Sequence, residues 1–133
     1  MQVEEIKDAA VAALEEIKAR DIEVLDVKKL TSLFDYMIVA SADSVRQTKA
    51  LARNVHDKIK QLGGGVVGIE GEQTGEWVLV DLGAVVVHIM QPAVRDYYNL
   101  EQLWGGNGPH NVSHVRRLAD QRAGPGPGAQ LGP

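Results

Sequence analysis

The side chains in this 133-residue chain with acid–base or metal-binding potential are four histidines and eighteen carboxylates; there is no cysteine to serve as nucleophile or thiolate ligand. His110 and His114 stand four apart, a spacing that on a helix would turn two imidazoles toward one metal ion. No third ligand accompanies them, and glycine and proline lie close by. Asp21 with Glu23, and Glu70 with Glu72, are acidic pairs that on a strand could share magnesium for phosphoryl or nucleotidyl transfer. Neither has a basic or glycine-rich phosphate cradle beside it, so both read as solvated charge. Phosphate-binding loops of the G-x-x-x-x-G-K-[ST] and G-x-G-x-x-G types and the G-x-S-x-G nucleophile elbow do not occur in the sequence. Gly63-Gly64-Gly65 follows a helix rather than opening one, which makes it a helix stop. The expectation is no catalytic residue, no metal site and no cofactor.

His56, beside Asp57, reads as a surface residue. His88 is different, because it interrupts the apolar run Val85 to Met90, and an imidazole buried there needs hydrogen-bonding partners. A structural histidine, an interface residue and a general base are the three readings open to it. Of the six aromatic residues, Trp77, Tyr97, Tyr98 and Trp104 fall in the C-terminal part of the folded body, with Arg95 among them. Trp, Tyr and Arg are the types most enriched at binding hot spots. Trp77 and Trp104 serve equally well as core residues. These residues describe a binding module rather than an enzyme.

The elements that must position them follow from periodicity. At 44% hydrophobic and 24% charged residues, the chain has the composition of one ordinary globular domain. Val3, Ile6, Ala10, Leu14 and Ile17 predict an amphipathic helix from Val3 to Arg20. Ile22 to Val27 and Tyr36 to Ala40 read as strands flanking a loop. A second helix, capped near Ser44, carries Thr48, Leu51, Ala52, Val55, Ile59 and Leu62 until Gly63 stops it. Val66 to Glu70 is a third strand, and the strand–helix–strand order predicts parallel strands joined by a crossover.

Trp77 to Val80 and Ala84 to Met90 form a hairpin. A two-residue turn at Leu82-Gly83 would put Leu82 at positive φ, so a three-residue loop pairing Val80 with Ala84 is preferred, which sends Trp77 and His88 to opposite faces. Pro92 opens a short helix, and Asn99 caps another over Leu100 to Trp104. The fold expected is α/β, a mixed sheet of about five strands with flanking helices, in a domain spanning 1–105. Residues 106–133, rich in glycine and proline, are expected to be a mostly disordered tail.

Residues 1–104 carry net −6 and residues 105–133 net +2. An acidic body disfavours broad nucleic-acid contact and suits a basic protein surface. No apolar run approaches the length of a membrane span, and the acidic N-terminus resembles no leader, so a cytoplasmic location is expected.

Five segments carry a resemblance. They are Thr31-Ser32-Leu33-Phe34-Asp35-Tyr36-Met37-Ile38-Val39-Ala40-Ser41, the run Ser44 to Ala50, and Trp77 to Gly83 with Val86-Val87-His88 and Arg95 to Trp104. In this order they closely resemble the ribosomal silencing factor family, also called RsfS or Iojap, over residues 3 to about 105. Phe34, Ala42 and Met90 depart from the family's usual small residue, glycine and aromatic. The resemblance implies a nucleotidyltransferase-like fold without the catalytic motif, since Asp35-Tyr36-Met37 ends in methionine where a second metal ligand should stand. It also implies a non-enzymatic repressor of translation under nutrient limitation. Such a factor binds the large ribosomal subunit through its ribosomal protein fourteen and blocks joining of the small subunit. Trp77, Leu82, His88, Arg95, Tyr98 and Trp104 are expected to make or shape the contact, with Asp81 and Tyr97 as second choices. A homodimer, a large-subunit assembly factor and a nucleotidyltransferase-like enzyme are the alternatives.

Overall fold

A computed structural model describes residues 1–106 of the chain; the expected tail, with His110 and His114, falls outside these residues from 107 onward. The elements in order are α1 (Val3–Glu16), β1 (Arg20–Asp26), β2 (Tyr36–Ser41), α2 (Val45–Gln61), β3 (Gly68–Glu70), β4 (Trp77–Asp81), β5 (Val85–Met90) and α3 (Pro92–Tyr98). A wide π-type turn, Gln102–Gly106, follows. The five strands form one sheet in the order β1-β2-β5-β4-β3. β2 and β5 pair in parallel and the other neighbours antiparallel, the mixed sheet expected. β2 and β3, joined through α2, run in the same direction with two strands between them.

β2 and β5 are buried along their whole lengths, which is why both read as nearly continuous apolar runs. Alternation then divides the sheet into two faces. Ile38, Ala40, Val78, Val80, Val87 and Ile89 pack with α1 and α2 in one apolar cluster. Met37, Val39, Trp77, Leu79, Val86 and Met90 form the other, which Leu100 and Trp104 complete.

α1 stops at Glu16, short of the Arg20 expected, because Lys18 takes φ +62 and Ala19 N–H bonds Leu14 O at 3.0 Å, turning the chain into β1. The Gln47 amide, from the first turn of α2, donates to the carbonyls of Ile17 and Lys18, each at 3.2 Å. α2 begins as predicted, with Ser44 Oγ accepting from Gln47 N–H at 3.0 Å. Farther along, Asn54 Nδ2 donates to Ala13 O at 2.8 Å, and Lys58 Nζ bonds Glu16 at 2.7 Å. The Lys58 ammonium, then the Asn54 amide, hold the Glu16 carboxyl below its ordinary value.

The hairpin differs from the preferred register. Leu82 N–H bonds Val85 O at 2.9 Å, and the two-residue turn is Gly83-Ala84, with Gly83 at φ +87. Glycine therefore takes the first turn position, where positive φ costs it nothing, and Leu82 stays in the ladder without strain. Val80 pairs with Val87 rather than Ala84, and Trp77 with Met90. The shift places Trp77 and His88 on the same face.

Candidate partner-binding surface

α3 lies over the second face of the sheet and brings four of the expected residues together. Trp77 Nε1, which can only donate, bonds His88 Nδ1 at 2.9 Å. The imidazole in this arrangement is neutral, with its proton on Nε2. Both residues are buried, at 2% and 3% exposure. The Trp77 ring meets Tyr98 at 4.7 Å between centroids, and Tyr98 meets Tyr97 edge-on at 5.0 Å. Four rings thus run from the core outward, ending at Tyr97, which is 79% exposed. A large ring held from behind presents area to a partner at little cost in side-chain freedom.

Pro92 at the first position of α3 supplies a ready-made helical φ, and Asn99 ends the helix in the left-handed region at φ +47. Asn99 closes α3 as its C-cap, and its carbonyl also accepts from Leu103 N–H at 3.3 Å to begin the helical stretch expected after it, which runs through Leu100 and Glu101 into Gln102–Gly106 in π form. Arg95, on the same helix, is 8% exposed; its Nη1 donates to Ser41 Oγ at 2.8 Å and its Nε to Glu101 Oε2 at 3.0 Å. The Glu101 partnership escaped the sequence reading, because Glu101 lies beyond the left-handed break at Asn99 and no helical spacing connects the two. Trp104 is buried against Phe34, with ring centroids 5.3 Å apart.

Leu82 and Asp81 lie elsewhere. Leu82 faces the helix side, where with Met1, Ile6, Gly63, Gly64, Gly65, Val66 and Val67 it lines a groove of about 370 Å³. Half-buried Asp81 accepts from Gly83 N–H at 2.8 Å and supports the turn. Of the eight residues, Tyr97 is exposed and Tyr98 half-buried beside it, while Trp77, His88, Arg95 and Trp104 are buried beneath them. Among the described residues, no group of three or more His, Cys, Asp or Glu side chains could hold a metal ion, and no helix is long and apolar enough to cross a membrane. Arg53 pairs with Glu72 at 3.1 Å and His56 with Asp57 at 2.9 Å, both at the surface.

A family model described as "Ribosomal silencing factor during starvation" matches residues 1–128. A ribosomal silencing factor RsfS from Chromobacterium violaceum is 60% identical over 109 residues, 82% of this chain and 89% of that protein. A crystal structure of a protein from the same organism, 60% identical, superposes with a TM-score of 0.78 over 82% of this chain and 91% of that one. A more distant mouse relative, named mitochondrial assembly of ribosomal large subunit protein 1, is 34% identical over 100 residues, 73% of this chain and 44% of that protein.

Proposed function

This chain belongs to the ribosomal silencing factor family, and we propose that it silences by docking on the large ribosomal subunit and standing where the small subunit would join. The observation that carries this reading is the run of rings from buried His88 through Trp77 and Tyr98 to exposed Tyr97, a rigid anchor on a short helix. The partner is a basic protein surface, ribosomal protein fourteen of the large subunit. The net −6 on residues 1–104 supports a cationic partner over wrapped nucleic acid. Blocking needs no catalysis: a domain of this size is about 30 Å across and obstructs two closely apposed surfaces by its bulk. The chain acts in the cytoplasm, where subunits join.

Joining of purified subunits, followed by sedimentation with and without the protein, tests the reading. Fewer joined particles are expected, with the protein travelling on the large subunit. Unchanged joining at saturating protein, or magnesium-dependent turnover of a nucleotide, overturns it. The mouse relative's name favours a second reading, a role in assembling the large subunit. Accumulation of precursor particles in a deletion strain, with joining of mature subunits unaltered, would select it. Exposed Tyr97 also suits a second copy of the chain, which concentration-dependent sizing would reveal.

A further inference from the structure

Two indoles are equally hidden, each 2% exposed, but their hydrogen bonding differs. Trp77 Nε1 donates to His88, whereas Trp104 Nε1 is buried with no hydrogen-bond partner among the described residues, as is Glu101 Oε1 three residues earlier. A buried donor and acceptor without partners penalise the closed state of the segment that carries them. That segment starts at Asn99, a non-glycine residue in the left-handed region, and continues into the wide turn, where Leu103 N–H reaches Asn99 O only at 3.3 Å. Its hold on the rest is made by side chains: Leu100 and Trp104 in the cluster with Phe34, and Glu101 on Arg95.

We propose that residues 99–106 form a strap that detaches from the sheet as one unit, hinging at Asn99 while α3 stays folded, and that detachment releases Arg95 from Glu101. Closed, the strap neutralises the guanidinium and keeps it buried. Open, it leaves α3 with a cation free of its carboxylate, one helical turn before Tyr98, so the charge of this surface changes with the strap's position. The inference concerns the isolated protein and holds whether or not the ribosomal reading does.

The test uses the full chain, whose two tryptophans give two indole N–H signals by nuclear magnetic resonance. The Trp104 proton is expected to exchange with solvent at least about tenfold faster than that of Trp77, in step with the Leu103 amide. Equal protection of the two indoles overturns the proposal. A staple gives the second arm. Gly105 lies against Leu25, where a Cβ would be 3.6 Å from Leu25 Cδ2, and the chain has no cysteine of its own, so Leu25→Cys with Gly105→Cys is the staple tested, its closure on oxidation verified by loss of both free thiols. Oxidation should slow the Trp104 proton to the Trp77 rate, and reduction should restore it. A Trp104 rate that is the same in the oxidised and reduced forms means the proton escapes without the strap moving, and the proposal fails.

Discussion

Replacing Tyr97 with alanine separates docking from stability. The ring is 79% exposed and meets Tyr98 edge-on at 5.0 Å. Losing that contact costs about 0.5–1.5 kcal/mol, and at about 4–8 °C per kcal/mol for a domain of this size the melting temperature should fall only modestly. On the large subunit the same ring would be covered by the partner. Truncating a hot spot costs at least about 2 kcal/mol, which is about 30-fold in Kd. Titration of purified large subunits with wild type and Tyr97→Ala, beside thermal melts of both, reads the two numbers separately. A variant that melts near wild type and binds with less than about a threefold loss would refute the assignment of this ring to docking.

Three other perturbations probe the scaffold. Trp77→Phe keeps a ring but removes the donor to His88 Nδ1 and part of the core volume, so it should lose about 2–4 kcal/mol in chemical denaturation; a loss below about 1 kcal/mol would count against that bond as an organiser of this face. At Gly75, φ is +75 and a Cβ would sit 2.4 Å from Val45 Cγ1, so Gly75→Ala should cost about 2–4 kcal/mol. Gly65→Ala, where a Cβ would meet nothing within 4 Å, is the control expected to stay near wild type. The Glu16 carboxyl is held low by Lys58 and Asn54, so its support for the fold is present above the ordinary carboxylate value and lost as pH falls through the lowered one. Glu16→Gln should therefore melt below wild type at about pH 7 and converge with it at about pH 2; a gap that persists in acid would point to lost packing instead.

Helix α2 is legible in the sequence because its cap, its apolar stripe and its stop agree: Ser44, the run Thr48 to Ile59, and Gly63 each meet the same boundaries. β2 and β5 are legible because strands covered on both faces carry almost no polar residue. The hairpin is not, since its register turns on whether one glycine comes first, second or last in the turn, and a single step inverts every side chain along β4. The site is legible as residue types but not as exposure. Trp77 and Trp104, open between core and interface, are core. Tyr97 and Tyr98 are adjacent, and which one faces outward depends on how α3 is rotated about its axis. Arg95 on Ser41, and Tyr98 on Trp77, fix that rotation through contacts across the fold that local spacing does not encode.

Among the described residues, β5 is the last strand in chain order and the one placed at the centre of the sheet. A product truncated before Val85 therefore holds two separate ladders, β1–β2 and β3–β4, each with an unpaired inner edge where β5 should lie. Such fragments are expected to associate through those edges and to be open to proteolysis, so what separates them from the folded factor is the arrival of one central strand.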